Sequence, residues 1–219
     1  MSTRTNFDKN LEQLKRMLLD MESKAEMAIR ESLTALIHQD VEKAEQIING
    51  DHEIDQLNIK INDKALMLIA TESPVAKDLR TINVALKVSS EVERMGDMAV
   101  NIAKAALHIG KEKHVKEIVD IPQMMNLALD MVSDAIKAYI NEDVMLAQKC
   151  AERDDKVDEM FGSIIHELIS MVPNNPEATN QIIQLAFVCR FIERIADHST
   201  NIAENVIYLV TGKSYNLND

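Results

Sequence analysis

Tryptophan is absent from this 219-residue chain, and aromatic residues make up only 3% of it. Glycine (5) and proline (4) are almost as scarce. Sheet-rich folds need aromatic and β-branched strands joined by frequent Gly/Pro turns, so this composition argues against them. Cysteine occurs twice, as Cys150 and Cys189, with no CxxC pair and no disulfide framework. Both cysteines lie in apolar helical runs and read as small buried residues. No apolar run approaches the roughly 20 residues that a membrane span needs. No signal-peptide pattern opens the chain, and a cytoplasmic protein is expected. Positive charge is also short. The formal net charge of −12 leaves no basic face for nucleic acid and is unhelpful at an anionic membrane surface. It suits cations or basic protein patches, and it also serves solubility alone.

What the chain does have is 46% hydrophobic residues, rich in Leu, Ala and Met, among many Glu and Lys. These are helix formers. The length allows one domain or two modest ones. The 13 Met read as gap fillers between helices, with a Met-rich partner groove as the alternative. Helical periodicity runs almost throughout. The first segment spans about Asn6 to His38, with Leu11, Leu14, Leu18, Met21, Ala25, Ala28, Ile29, Ser32 and Leu36 along one face. Asp40 is placed to cap a second helix reaching about Ala70. Pro74 breaks the chain there. A third helix runs from about Val75 to Ile109 and stops at Gly110. A charged stretch, 111–122, reads as a linker. Three more helices follow, over about 123–140, 144–171 and 177–210, with the Pro173-Asn174-Asn175-Pro176 loop before the last. The expected fold is all-α: six long helices forming two tandem three-helix bundles, residues 1–110 and 123–219.

The two halves repeat. Val92-Glu93-Arg94-Met95-Gly96-Asp97 with Asn101-Ile102-Ala103 returns as Ile192-Glu193-Arg194-Ile195-Ala196-Asp197 with Asn201-Ile202-Ala203, at an offset of 100 and with six of twelve positions identical. Asp51-x-x-Ile54-Asp55 returns as Asp154-x-x-Val157-Asp158 at an offset of 103. Each half therefore carries two acidic pairs at i, i+4 spacing, which places both carboxylates of a pair on one helix face. Like charges there repel by a few tenths of a kcal/mol. A cation would relieve that, as would solvent or nearby Lys and Arg.

The short loops make the bearing helices antiparallel, so residues at one height have numbers with a constant average. Asp51 with Asp97, and Asp55 with Glu93, average 74, the position of Pro74. Asp154 with Asp197, and Asp158 with Glu193, average 175.5, beside the centre of the PNNP loop. Four carboxylates in each half are expected at one level, about 20 residues or roughly 30 Å from the loop. Such oxygen-only sets suit Mg²⁺, Mn²⁺, Ca²⁺ or iron, and Zn²⁺ less well. The pattern differs from di-iron bundles, which use Glu-x-x-His. Asn101 and Asn201, one turn beyond the Asp, are candidates for ordering a ligand. Arg94 and Arg194 are expected to pair with acids on a neighbouring helix, with anion holding as a sharper alternative. His52 and His198 read as surface or rim residues. No nucleophile–base pair, Gly-rich phosphate loop or dinucleotide fingerprint occurs.

These repeated Glu-Arg-x-x-Asp motifs, each followed by Asn-Ile-Ala, resemble the signatures of the PhoU family. Phe7…Leu14 at the start, the Pro74-x-Ala76-x-Asp78-Leu79-Arg80 segment and the tandem layout fit as well. Gly96 becomes Ala196 in the second repeat, and Asp-Leu-Arg has no close counterpart after Pro176. The resemblance implies two three-helix bundles with multinuclear iron or zinc clusters held by the acidic motifs; manganese and magnesium suit the same ligands. It implies a cytoplasmic, non-enzymatic adaptor that represses the phosphate-starvation response. Its implied partners are a phosphate ABC transporter, through the ATP-binding subunit, and a sensor histidine kinase, often with dimerisation. It would meet the membrane only through those partners. The rival expectations are a carboxylate-bridged dimetal enzyme and a purely structural helical scaffold.

Overall fold

The computed structural model describes residues 3–217, with side chains from Asn6 onward. Seven α-helices follow one another: α1 (Thr3–His38), α2 (Val41–Gly50), α3 (His52–Glu72), α4 (Lys77–Ile109), α5 (Asp120–Asn141), α6 (Val144–Met171) and α7 (Thr179–Thr211). Two 3-10 turns, Val172–Asn174 and Pro176–Ala178, join the last two. No strand forms among the described residues. The apolar stripe read in α1 is the buried one: Leu14, Leu18, Met21, Ala25, Ile29, Ser32 and Leu36 all lie in the core. That stripe needs a partner face, and α4 supplies it, with α2 and α3 alongside. The same arrangement recurs with α5, α6 and α7. Helices α4 and α7 then pack on each other, and the buried residues of both bundles form one continuous core. Cys150 and Cys189 are free and buried in it.

The repeat extends further than the motifs. Asp40 and Asp143, 103 apart, both cap helices: their Oδ1 atoms accept from Lys43 N and Leu146 N, each at 3.0 Å. The residues before them, Gln39 and Glu142, both take a left-handed backbone, φ 55° and 54°. Both turns are closed by a 2.9 Å bond, Asp40 N to Ala35 O and Asp143 N to Ala138 O.

Two boundaries differ from the sequence expectation. The second long helix is interrupted at Asp51, which separates α2 from α3. Asn49-Gly50-Asp51 has weak helix propensity, whereas its counterpart Glu152-Arg153-Asp154 continues through α6. Arg153 is further held by an ion pair to Asp134 of α5. The break is slight, because Asp51 keeps helical dihedrals (φ −51°, ψ −37°). The other difference is Pro122, which sits inside the first turn of α5 rather than ahead of it. Proline is tolerated there because first-turn amides have no helical partner.

Candidate metal centres

The eight acidic residues fall into two groups of four, one per bundle. In the first bundle, Asp51 lies at the α2–α3 junction and Asp55 one turn into α3, while Glu93 and Asp97 share a face of α4. Their mutual repulsion registers in their acidities. Asp51 is raised above the usual carboxylate range by burial, then by Asp55 and Asp97, with Lys104 opposing. Glu93 is raised by burial, then by Asp97, Asp55 and Asp51. Gly96 permits this approach: a Cβ there would stand 3.8 Å from Asp51 Oδ1 and only 3.0 Å from Ile54 Cδ1. A cleft of about 250 Å³, floored by Ile47, Ile54 and Val100, opens beside Gly50 and Asp51.

The second group is more deeply set. Asp154 on α6 and Glu193 on α7 are each 8% exposed. Burial, then Asp197 and Asp158, push Asp154 up to about 6. Burial pushes Glu193 up to about 7, reinforced by Asp197, Asp158 and Asp154. The Arg190 guanidinium pairs with Glu193 Oε1 yet does not offset these effects. Asp197 is raised by burial and then by Asp158. The other carboxylate oxygen of Glu193, Oε2, is buried with no hydrogen-bond partner. An anionic oxygen in that state needs a cation or a proton.

The donor set therefore fits a hard or borderline cation in chemistry. Among the described residues, however, no three His, Cys, Asp or Glu side chains converge closely enough to hold a metal ion in the conformations seen. Mutual repulsion favours such a spread. Ligation requires the carboxylates to turn toward one another.

The surrounding residues correct several expectations. Arg94 and Arg194 are exposed and make no ion pair among the described residues. The arginine that contacts a cluster is Arg190, three residues before Glu193 on the same helix, a spacing legible as an i, i+3 pair. Asn101 is half-buried. Asn201 turns from the acidic group to α4, where its Nδ2 donates to Glu91 Oε2 at 3.2 Å. His52 is exposed as expected. His198 is not a rim residue: it is 6% exposed, with Nδ1 2.7 Å from the same Glu91 oxygen. Burial alone would raise Glu91, but the hydrogen bonds from His198 and Asn201 hold it below the usual range. Glu91 escaped the sequence reading because its counterpart is Phe191, so no repeat marks it.

Fold and clusters together define an all-α protein of two tandem three-helix bundles, each bearing a quartet of carboxylates. A family model described as the PhoU domain matches twice, over residues 18–106 and 121–206. The chain belongs to the PhoU family. It is 40% identical to a Clostridium acetobutylicum protein named as a homolog of the phosphate-specific transport system accessory protein PhoU, over 99% of this chain and 100% of that one. An Aquifex aeolicus relative of the same name is also 40% identical, over 94% of this chain and 93% of its own length. Among solved structures, that of PhoU from Pseudomonas aeruginosa superposes with a TM-score of 0.89 at 31% identity, covering 94% of this chain and 100% of that one.

Proposed function

We propose that this chain is an accessory protein of a phosphate-specific transport system, a regulator of phosphate uptake rather than an enzyme. The observation that carries this is full-length similarity, through both repeats, to proteins bearing that name. In the finer reading, it acts in the cytoplasm as an adaptor between the ATP-binding subunit of a phosphate ABC transporter and a sensor histidine kinase. It represses the starvation response when phosphate is plentiful, and it works as a homodimer. Consistent with a peripheral adaptor, no helix among the described residues is long and apolar enough to cross a membrane.

Residues 1–110 and 123–219 are its two repeat units, and each quartet is a cation site. Asp51, Asp55, Glu93 and Asp97 would hold one set of ions; Asp154, Asp158, Glu193 and Asp197 would hold the other. The cation would offset the repulsion among the carboxylates and tie two helices of a bundle together, fixing the surface offered to partners. The all-oxygen donors and the unpartnered Glu193 Oε2 support this.

Two experiments test the proposal. Expressed in a bacterium deleted for its own PhoU, the chain should restore repression of a phosphate-starvation reporter in phosphate-rich medium. Folded, soluble protein that leaves the reporter on would count against the regulatory role. For the cation, protein purified without chelator should contain iron, zinc or manganese, and added Mn²⁺ should raise the melting temperature by mass action. No metal and no shift would sink the cation reading.

A further inference from the structure

Helices α4 and α7 cross the boundary between bundles in antiparallel fashion. Arg80 lies against Gly212, Lys87 Nζ stands 5.6 Å from the Tyr208 ring centroid, and Glu91 meets His198 and Asn201. Residues rising along α4 therefore meet residues falling along α7. The internal repeat makes this joint two-fold in pattern. At the 100-residue offset, Glu91, His198 and Asn201 correspond to Phe191, Met98 and Asn101. One half of the joint is thus a polar trio in which His198 is buried and Glu91 and Asn201 are half-buried, while on the other half the positions of Glu91 and His198 hold a phenylalanine and a methionine and only the asparagine is kept.

Packing does not require the polar version. Phe and Met fill the symmetric positions, and apolar replacement of a buried ionic group is often neutral or stabilising. The polar trio is also incompletely satisfied, since His198 Nε2 is buried without a partner. What a directional contact adds is register: the accepting oxygen of Glu91 must sit opposite both donors, or the bonds break. A slide of α4 along α7 by two residues' rise, about 3 Å, would stretch a 2.7 Å bond lying across the slide to about 4 Å, beyond hydrogen-bonding range.

The trio is also placed to transmit such a slide. Glu91 is two residues before Glu93, and His198 directly follows Asp197. Any displacement of α4 or α7 caused at one quartet reaches the trio through rigid helix, and the trio carries it to the helix of the other quartet. We propose that Glu91, His198 and Asn201 form a latch across the α4–α7 joint that couples the two acidic quartets, so that a cation entering one changes the affinity of the other. This rests on the cation reading above.

Mn²⁺ titration calorimetry on the full chain tests it in four forms. These are the wild type, a second-quartet knockout (Asp154→Asn with Glu193→Gln), a latch replacement (Glu91→Phe with His198→Met, the pair the symmetric face carries), and the combination. With the latch intact, removing the second quartet should change the first quartet's Kd by about fivefold or more. With the latch replaced, the change should fall below about twofold. An equal change in both backgrounds, or no change in either, overturns the latch. If the replacement does not fold by circular dichroism, Glu91→Ala takes its place. Glu91→Gln, which keeps an accepting oxygen for both donors, should retain the coupling; its loss in Glu91→Gln would also overturn the latch. Two independent sites would overturn the latch alone, whereas no Mn²⁺ binding by the wild type would overturn the cation reading and the latch with it.

Discussion

A single methyl group separates the two repeats at the contact of Gly96 with Ile54, and moving it should be measurable. In the first bundle Gly96 faces Ile54; in the second, Ala196 stands at the repeat position of Gly96 and Val157 at that of Ile54. The pairs are Gly with Ile and Ala with Val, so the same volume is divided differently. Ile54 is 4% exposed, and Val157 and Ala196 are fully buried, so neither contact is relieved by solvent. Gly96→Ala should gain about 1 kcal/mol of helix propensity in α4. It also sets a Cβ 3.0 Å from Ile54 Cδ1 and 3.4 Å from its Cγ2. Overpacking of that kind costs about 1–3 kcal/mol in a filled core. The single variant should therefore lie between neutral and about 2 kcal/mol less stable. Ile54→Val alone leaves a methyl-sized gap and should cost about 0.5–1.5 kcal/mol.

The double variant removes Cδ1, the atom that the new Cβ would strike, and reproduces the second-repeat pair. It should be equal to or up to about 1 kcal/mol more stable than the wild type, because the propensity gain survives and the volume is conserved. The coupling energy would be about 0.5–4.5 kcal/mol in favour of the pair, against a limit of about 0.5 kcal/mol for independent sites. Urea unfolding followed by circular dichroism, at matched m-values, measures all four proteins. Singles that add would refute the argument. So would Gly96→Ala alone gaining the full propensity term, since Ile54 would then be swinging aside freely. The reverse cycle in the other bundle, Ala196→Gly with Val157→Ile, should show coupling of the same sign.

Other consequences can be checked on the same footing. With chelator present, melting temperature should rise by a few degrees as pH falls from about 7.5 to 5.5. Asp154 and Glu193 have folded-state values raised to about 6 and about 7. The native state thus binds more protons than the unfolded chain in that window, and stability increases downward in pH. A flat or opposite trend would refute it, and Glu193→Gln should flatten the slope while raising stability at pH 7.5. Asp40→Ala and Asp143→Ala should each cost about 1 kcal/mol in urea unfolding, and by similar amounts, because both delete the same cap bond. A cost confined to one of them would mean that the two turns are not equivalent. Tyr139→Phe should be neutral or slightly stabilising by calorimetry, since the Tyr139 hydroxyl is buried without a partner. A loss above about 1 kcal/mol would show that the hydroxyl is bonded in solution.

Features set by spacing are legible in the sequence, and those set by contact are not. The α1 stripe, the stop at Gly110 and the cap at Asp40 are local rules, and the structure follows them. The common height of the acidic quartets also came from arithmetic, because a short loop forces two helices to be antiparallel whatever their side chains do. The break at Asp51 was legible in principle from Asn49-Gly50-Asp51, but a continuous apolar stripe concealed it. Arg190 has no repeat counterpart, since position 90 is a serine, so the repeat points to the shared Arg194 instead. Arg194 sits on the outer face of α7, exposed, while the neighbouring turn supplies the partner. Helix rotation points His198 about 100° from Asp197, which on sequence alone suggests the rim. That rotation was correct, but the direction holds α4 rather than solvent, and the packing of one bundle on the other cannot be read from the period of either.

Duplication gives both halves the same backbone problem, and the side chains show where each half answered it differently. The caps, the left-handed turns and the quartets are kept in pairs, since each serves its own bundle. Divergence falls at two places: within a bundle, Gly96 with Ile54 against Ala196 with Val157, and at the joint between bundles, Glu91 with His198 against Phe191 with Met98. The first difference tunes how closely the two ligand-bearing helices approach within a bundle. The second makes the joint between bundles polar on one side and apolar on the other. A symmetric joint would treat sliding in either sense alike, whereas one hydrogen-bonded half defines a single register. The deeper burial of the second quartet completes the asymmetry. Burial and the neighbouring carboxylates press on Asp154 and Glu193 more than on the half-buried Asp51 and Glu93, even with Arg190 paired to Glu193. A cation should therefore relieve more electrostatic strain in the second bundle than in the first, and that bundle's quartet should fill first in a titration.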